Sequence, residues 1–373
     1  MLRSLKAATA AATLSLTLAC DAAPEVFHSD KARFRLETVA SGLEHPWSLA
    51  FLPDGSQLVT ERAGRLRRIR GGQLDPDPIA GVPEAAVAGQ GGLLDVVLHP
   101  DFANNQLLFL SYAHENHQGK TTRVSRARFA GDRLESVEVI FDALPRSRTN
   151  RHFGGRMAFD EDGYLYLAVG DRGDRPRAQD TRDDAGGVHR LTIDGDPAPG
   201  NPFLELTDVQ PTFFTYGNRN IQGMTRHPIT GEIWTHEHGP RGGDEINLIS
   251  AGTNYGWPTI TYGIGYSGLP ITDKTAMPGM AQPLHYWDPS IAPSGMAFYT
   301  GTDVPEWQGD LFVGALKLQK LVRLKIREGQ VVEEEDLITG FGKRIRDVRM
   351  GPDGVLWLLT DERDGEVLRL VPQ

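Results

Sequence analysis

His152 stands beside Phe153 and a pair of glycines, just ahead of a predicted β-hairpin, in the stretch "NRHFGGRMAFDEDGYLYLAVGD". An imidazole that is neutral near pH 7 is the natural general base among protein side chains. The chain contains 11 histidines, so a structural histidine satisfied by hydrogen bonds is the alternative interpretation. The pattern makes His152 a candidate base.

Two further stretches carry polar groups where the backbone is unusually free. Gln90 lies among three glycines in "AVAGQGGLLDV", which allows a close approach of backbone to ligand, although a simple glycine-rich turn has the same composition. Arg219 lies between Asn218 and Asn220 and is followed by Gln222. Such a cluster of donors suits an anionic ligand with several oxygens, and surface solvation is the alternative.

The stretch "EHGPRGGDEINLIS" combines backbone carbonyls with carboxylates. Gly239 and Pro240 present carbonyl oxygens, and Asp244 and Glu245 supply carboxylate oxygens. Calcium prefers such mixtures of oxygen ligands. The spacing is not that of an EF-hand, and an acidic loop capped by turns would look similar.

Basic side chains near the end of the chain form another candidate site. Lys317 lies in "FVGALKLQKL", and Arg344 and Arg346 flank Ile345, so a strand would place both guanidinium groups on one face. Two like charges on one face repel each other unless an anion lies between them. Pairing with surface Asp and Glu is the alternative.

The whole chain has 373 residues and a formal net charge of -10, which gives no electrostatic case for nucleic-acid binding. Residues 1–20 are predicted to be an export signal, 21–32 a linker and 33–373 a single domain. "TLAC" resembles a lipobox, so lipidation of Cys20 and ordinary cleavage nearby are both open. The lone cysteine excludes an intrachain disulfide, and no later stretch is apolar enough to span a membrane. We expect an exported, periplasmic protein, tethered at most through Cys20.

A hairpin recurs six times along the domain, each time as an apolar strand, a Pro/Asp/Gly turn and a second β-rich strand. The copies begin at Ser48, Asp95, Arg156, Gly223, Gly295 and Asp347. Repeats of this length indicate an all-β, six-bladed β-propeller with four-stranded blades. The segment 33–42 is predicted to pair into the last blade beside "EVLRLV" and close the ring. Two β-sandwiches would not explain six similar hairpins, and Gly and Pro interrupt every possible long helix.

In a propeller, loops at one end of the central channel can hold a ligand. His152 would precede an inner strand at that end. The other candidates, although far apart along the chain, would then meet at one mouth.

With these motifs in place, the sequence resembles the soluble aldose (glucose/sorbosone-type) dehydrogenases that use pyrroloquinoline quinone, PQQ. The resemblance runs from about Leu36 to Leu370 and is most specific in "GQGGLLDV", "HFGGRMAFD", "YGNRNIQG", "EHGPRGGDEIN", "NYGWP", "GALK" and "RIRDVRMGPDG". It implies a six-bladed propeller with PQQ over the channel mouth. The expected reaction is oxidation of an aldose at its C1 hydroxyl to a lactone, with hydride passing to PQQ.

The resemblance also implies a role for each candidate. His152 would take the proton of the C1 hydroxyl, and the glycines behind it would leave room for a flat ring and a sugar. Gln90 would contact cofactor or sugar, and Tyr266 would line the cofactor site. Arg219 and Asn220 would bind the quinone oxygens, and Arg219 together with calcium would polarise the quinone carbonyl as hydride arrives.

The remaining implied roles concern the anionic end of PQQ and calcium. The PQQ carboxylates would meet a set of side chains and neighbouring backbone: Ala315, Leu316, Lys317, Arg344, Ile345 and Arg346. One calcium would bridge PQQ to the carbonyls of Gly239 and Pro240, and a structural calcium would use Glu245 and Tyr255.

Two positions depart from the better-known glucose enzymes, which favours a broad aldose specificity. His238 stands where those enzymes have glutamine, and Arg151 stands where they have an acid. A calcium-dependent propeller lactonase and a non-catalytic propeller that binds glycan or protein are the rival functions. The electron acceptor after PQQ, and whether the protein is a monomer or a homodimer, stay open.

Overall fold

A computed structural model describes residues 25–373; the predicted export signal 1–20 and Cys20 lie outside them. Six antiparallel sheets form the blades of a ring, which confirms the predicted all-β, six-bladed propeller. Strands β1 and β2, Val26–His28 and Arg33–Leu43, precede the first blade in the chain. Blade 1 comprises β3 Pro46–Phe51, β4 Gln57–Glu61, β5 Arg65–Arg70 and β6 Gln73–Leu74. Blade 2 comprises β7 Leu93–Leu98, β8 Leu107–Asn116, β9 Gly119–Phe129 and β10 Leu134–Asp142. Blade 3 comprises β11 Met157–Phe159, β12 Leu165–Val169, β13 Gly187–Leu191 and β14 Phe213–Tyr216.

Blades 4 to 6 continue the same up-and-down order. Blade 4 comprises β15 Ile221–Arg226, β16 Ile233–Glu237, β17 Asp244–Leu248 and β18 His285–Trp287. Blade 5 comprises β19 Pro293–Phe298, β20 Leu311–Ala315, β21 Leu321–Arg327 and β22 Gln330–Leu337. Blade 6 comprises β23 Ile345–Met350, β24 Leu356–Thr360 and β25 Gly365–Pro372, together with the N-terminal strands. Helix within the described residues is limited to α1 Phe102–Asn105 and the 3₁₀ turns Arg175–Gln179 and Pro305–Trp307. No helix of residues 25–373 is both long and apolar enough to cross a bilayer.

The ring closes through its N-terminal strand, as the sequence predicts. Strand β2 pairs with β25 in blade 6, with Leu36 opposite Leu370 and Thr38 opposite Leu368. Strand β1 then adds a fifth strand at the outer edge of that blade. It lies within the segment 21–32 that the sequence analysis treats as a linker.

The core lies between blades, because each sheet buries its faces against its neighbours. Strands β12 and β24, the apolar runs "LYLAV" and "LWLLT", are buried at every position. Such continuous apolar runs are expected for strands covered on both faces. The first strands of adjacent blades contact one another around the ring, which places the start of each blade at the central channel.

A network of charged side chains fills the channel. Arg156 reaches Asp347 at 2.9 Å and Asp95 at 3.5 Å, and Arg349 reaches the same two carboxylates at 2.8 and 3.0 Å. Arg156 also donates from Nε to the carbonyl of Gln222 at 2.7 Å. The network joins blades 2, 3, 4 and 6, and it was not predicted from the sequence.

Candidate active site

His152 lies at the channel mouth just before β11, and its ring is held by Asp171. Its Nδ1 is 2.6 Å from Oδ1 of Asp171, the geometry in which Nδ1–H donates to the carboxylate and Nε2 stays unprotonated. Burial lowers the pKa of His152 below its usual 6.5, the Asp171 carboxylate opposes that shift, and Arg219 and Arg151 add to it. The imidazole is therefore neutral at pH 7, as a general base must be.

Asp171 is itself fixed by further donors. Its Oδ2 accepts from the indole Nε1 of Trp257 at 2.8 Å, and its Oδ1 accepts from the backbone of Gly173 at 2.6 Å. Burial favours the neutral acid, but His152 and Arg219 outweigh burial and lower the pKa of Asp171. The carboxylate is thus a permanent anchor for the imidazole. Neither Asp171 nor Trp257 was predicted from the sequence as a site residue.

The glycines behind His152 allow a close approach of the backbone to its neighbours. Gly154 and Gly155 have φ of 66° and 96°, and a Cβ on them would lie 2.6 Å from the carbonyl oxygen of Ala168 and 2.6 Å from Leu94. The missing side chains therefore let the backbone pack closely at this point. Gly154 also lines a cavity at the mouth, and the expectation that the two glycines leave room for a ring and a sugar stays a prediction.

Gln90 acts on the backbone of the candidate base. The side-chain Oε1 of Gln90 accepts from the backbone N–H of His152 at 2.7 Å, and the backbone N–H of Gln90 donates to the carbonyl of Asn150 at 2.8 Å. His152 has a φ of 53°, which is uncommon outside glycine, so this support matters. The side chain of Gln90 also lines both cavities of the mouth.

Arg219 and Asn220 lie between blades 3 and 4, beside the loop that follows β16. Arg219 donates from Nη1 to the carbonyl of His238 at 2.8 Å and to that of Gly239 at 3.2 Å. Its guanidinium lies 5.4 Å from the ring centre of Trp257. Asn220 accepts from the amide of Gly154 at 3.2 Å and lines the central cavity.

The mouth consists of two adjoining cavities that share Gln90. The first, which we call the central cleft, is lined by Trp47, Arg62, Gln90, Leu94, Phe153, Gly154, Asn220, Gln222, His238, Ala292, Leu316, Arg344, Arg346 and Asp361. The second, the base cavity, is lined by Gln90, Arg151, His152, Asp171, Gly173, Arg175, Arg219, Pro240, Trp257 and Tyr266. Tyr266 is 69% exposed at its rim.

Arg344 and Arg346 reach the central cleft together, but a carboxylate already lies between them. Asp361 accepts from Nη2 of Arg346 at 2.7 Å and from Nη2 of Arg344 at 3.2 Å. Burial opposes ionisation of Asp361, yet Arg346 and His45 outweigh it and hold the pKa of Asp361 well below its usual value. The alternative interpretation, in which Arg344 and Arg346 pair with an acid, is thus correct, although that acid, Asp361, is buried and not on the surface.

The cleft still has donors to offer to an anion. Nε of Arg346 is buried and has no hydrogen-bond partner among residues 25–373. Arg344 is partly exposed, and besides its ion pair with Asp361 its Nη1 makes only a 3.4 Å contact with the carbonyl of Leu316. A flat polycarboxylate such as PQQ fits this arrangement, with Trp47 as an apolar wall.

Three predicted cofactor contacts do not reach the cleft with their side chains. Lys317 is exposed and does not line the central cleft. Its backbone N–H donates to the carbonyl of Ile291. Ala315 and Ile345 are fully buried inside β20 and β23. Only their neighbours Leu316, Arg344 and Arg346 line the cleft.

The predicted calcium ligands separate into two groups. Glu245 lies in a small cavity with Glu237, Gly239 and Tyr255, whereas Pro240 lines the base cavity instead. Asp244 is no ligand candidate, because each of its oxygens already accepts two or more hydrogen bonds, from Gly239, Ser290, Ile291 and Ala292. The oxygens of Glu237 are less occupied, since one accepts from Asn218 and the other from the backbone of Arg219.

Glu237 and Glu245 are the acids that fit a cation. Burial raises the pKa of both carboxyls, and in Glu245 the neighbouring Glu237 charge adds to the effect. A cation would relieve this repulsion. Among residues 25–373 no three His, Cys, Asp or Glu side chains converge as a metal cluster, so backbone oxygens such as that of Gly239 would have to complete the shell. The hydroxyl of Tyr255 is already paired with Leu248 and Ser250.

Comparisons with known proteins agree with this geometry. The model of the Glucose / Sorbosone dehydrogenase family matches residues 43–369. The chain is 44% identical over 348 residues to the aldose sugar dehydrogenase YliI of Escherichia coli (strain K12), covering 92% of this chain and 94% of that protein.

Solved structures show the same relationship. The soluble aldose sugar dehydrogenase from Escherichia coli in the apo form is 43% identical with a TM-score of 0.88, over 91% of this chain and 100% of that one. The PQQ-bound aldose sugar dehydrogenase from Streptomyces coelicolor is 28% identical with a TM-score of 0.75, over 94% and 100%. The chain belongs to the Glucose / Sorbosone dehydrogenase family.

Proposed function

We propose that this protein is a PQQ-dependent aldose sugar dehydrogenase that oxidises the C1 hydroxyl of an aldose to the lactone. One observation supports this most: the His152–Asp171 pair opens into a cavity that adjoins a cleft containing Arg344 and Arg346. PQQ, when bound, supplies the two-electron acceptor for the hydride. The family membership and the PQQ-bound structure from Streptomyces coelicolor support the same assignment.

His152 performs the proton chemistry in this proposal. Since Nδ1 is engaged by Asp171, Nε2 is the atom that takes the proton of the C1 hydroxyl as the C1–H bond breaks. Asp171 fixes the tautomer and stabilises the imidazolium that forms. General base catalysis of this kind contributes about 10²–10⁴ to a rate.

Other residues of the mouth hold the reactants. Arg344 and Arg346 would hold the PQQ carboxylates, and Arg219 and Asn220 would donate to the quinone oxygens. Glu237, Glu245 and the carbonyl of Gly239 would hold calcium beside Arg219, where its charge would polarise that end of the site. A lactonase or a glycan-binding propeller would leave this anion cleft unexplained.

The cellular setting is part of the proposal. The leader-like residues 1–20 support export to the periplasm, with lipidation of Cys20 as an optional tether. The partners are an aldose and an electron acceptor that the sequence does not identify, and the protein acts as a monomer or homodimer.

Reconstitution tests the function directly. Apo-protein is mixed with PQQ and calcium, the visible absorbance of bound PQQ is recorded, and reduction of a dye by a panel of aldoses is followed. His152→Ala is expected to keep PQQ bound but lose at least about a hundredfold in kcat. His117→Ala, at an exposed turn between β8 and β9, is the matched control. Absence of PQQ binding, or an unchanged kcat in His152→Ala, would refute the proposal.

A further inference from the structure

We propose that the base cavity selects aldoses that carry an anionic group away from C1, as in a uronic acid or a sugar phosphate, through the guanidinium groups of Arg151 and Arg175. This inference rests on the proposed function, because it specifies the substrate class of the same site. It concerns two side chains of the base cavity, Arg151 and Arg175, to which the proposed PQQ binding assigns no role.

Both arginines line the base cavity with His152. Arg151 directly precedes His152, and its side chain lies across Gly173, since a Cβ there would be 2.3 Å from Nε of Arg151. The guanidinium of Arg175 lies 5.9 Å from the ring centre of Trp257. One cation therefore lies beside His152 and the other beside Trp257, the two residues whose side chains bind Asp171.

Neither cation has a charged partner among the residues that the structure describes. Among the ion pairs and side-chain hydrogen bonds of residues 25–373, none involves the guanidinium of Arg151 or Arg175. Arg219, the other cation of the cavity, is engaged by the carbonyls of His238 and Gly239. The oxygens of Asp171, the one acid in the lining, are occupied as described above.

The charge of this cavity contrasts with the charge of the chain. Its lining contains three arginines against one aspartate, in a protein with a net charge of -10. Free guanidinium groups at a cavity wall attract anions and match the planar oxygens of carboxylate and phosphate. Arg151 is close enough to contribute to the lowered pKa of His152, so its charge reaches the reaction centre.

Geometry assigns these cations to the sugar rather than to the cofactor. The arginines that would hold PQQ carboxylates, Arg344 and Arg346, line the central cleft and not the base cavity. Since His152 lines the base cavity and not the central cleft, an aldose with its C1 hydroxyl at Nε2 of His152 would occupy the cavity whose wall also contains Arg151 and Arg175. In this proposal, a negative group on that sugar pairs with these two cations.

Calorimetric titration of the protein loaded with reduced PQQ, under anaerobic conditions, tests the site without turnover, because reduced PQQ accepts no hydride and PQQ occupies the anion donors of the central cleft. Glucuronate, glucose 6-phosphate, glucose and inorganic phosphate are titrated separately at low salt. We expect at least one anionic sugar to bind about tenfold or more tightly than both glucose and inorganic phosphate, with an affinity that falls as salt increases. The two anionic sugars distinguish a carboxylate site from a phosphate site. Equal binding of inorganic phosphate, or no advantage over glucose, would overturn the inference.

Variants connect the preference to the named residues. The double variant Arg151→Gln, Arg175→Gln is expected to lose most of that advantage, both in binding and in the kcat/KM ratio of anionic to neutral aldose in the reconstituted enzyme. Arg182→Gln, an exposed arginine outside both cavities, should retain it. An altered PQQ affinity or acceptor KM with an unchanged sugar ratio would assign the arginines to those ligands and refute the inference. Failure to oxidise any aldose would instead refute the proposed function.

Discussion

Trp257 and His152 bind the two oxygens of one carboxylate, that of Asp171, at 2.8 and 2.6 Å. The base comes from the entry to blade 3, the acid from the end of β12, and the indole from the long loop between β17 and β18. A displacement of Asp171 would therefore break or move its contacts with both His152 and Trp257. The orientation of the base depends on contacts that join two blades.

Replacing Asp171 by Asn should damage catalysis while leaving the fold intact. The amide has similar volume but removes the charge that fixes the tautomer with Nε2 unprotonated. We expect kcat to fall by about a hundredfold or more, with little change in PQQ affinity. Steady-state kinetics with a neutral aldose and absorbance titration of PQQ measure the two quantities. Asp174→Asn, at an exposed position of the same loop, provides the control; a kcat close to that of the unmodified protein in Asp171→Asn would contradict the assignment.

The acid limb of the pH–rate profile should report the buried imidazole. Because burial lowers the pKa of His152, log kcat/KM should be flat above pH 6.5 and fall only at lower pH, where His152 becomes protonated. Arg151→Gln removes a cation that opposes protonation, so the limb should move to higher pH. Asp171→Asn removes an anion that favours protonation, so the limb should move to lower pH. Shifts in the same direction for both variants would show that another group titrates.

The fold was predictable because each blade contains one apolar hairpin that can be recognised from the local sequence. The partners of the site residues were harder to predict, because Trp257 is far from Asp171 in sequence and only the ring brings them together. One signal was overlooked: an acid follows or ends the second strand in four blades. These acids are Glu61, Asp171, Glu237 and Asp361.

Hairpin geometry explains why that signal matters. The second strand of each blade runs toward the mouth, so an acid at its end lies beside the start of the first strand. In blade 6, Ile345 pairs with Thr360, which sets Asp361 beside Arg344 and Arg346. The pairing around the turn "GPDG" could have revealed this contact. The lateral contacts between blades, such as that of Gln90 with His152, have no such local signature.

Asp361 should behave as an internal counter-ion for the two cleft arginines. Its side chain is 8% exposed, so replacing it by Asn leaves Arg346 charged and poorly compensated. We expect the PQQ-free protein to lose about 3 kcal/mol of folding free energy. PQQ should then raise the melting temperature more in Asp361→Asn than in the unmodified protein, since its carboxylates restore the missing charge. Differential scanning calorimetry with and without PQQ measures this, with Asp364→Asn as a control near the same turn; an equal PQQ effect would contradict the counter-ion role.

Glu245 should dominate any calcium-dependent stability. Replacing it by Gln removes one of the two repelling carboxylates, so the calcium-free protein should be no less stable than the unmodified one. Calcium should raise the melting temperature of the unmodified protein, because a ligand that binds only the folded state stabilises it, and this gain should be lost in Glu245→Gln. Thermal melts in chelator and in calcium provide the measurement. Glu232→Gln, at an exposed turn, should keep the full gain.

Arg156 should contribute to both stability and cofactor binding without contacting PQQ. Its guanidinium is buried between Asp95 and Asp347, and it donates to the carbonyls of Gln222 and Arg346 beneath the central cleft. Replacing it by Met keeps the length of the side chain but leaves Arg349 alone with two buried carboxylates. We expect a loss of about 3–5 kcal/mol in the free energy of unfolding, measured by denaturant titration.

The double variant Arg156→Met, Asp347→Asn distinguishes charge from packing. Removing the surplus carboxylate leaves Arg349 with one acid, so the charge imbalance disappears and a large part of the lost stability should return. If the loss comes from packing alone, the two changes will add instead. PQQ affinity should stay weakened in both variants, because the hydrogen bonds that hold the backbone of Gln222 and Arg346 are absent from both. Arg133→Met, at an exposed position of blade 2, should change neither quantity.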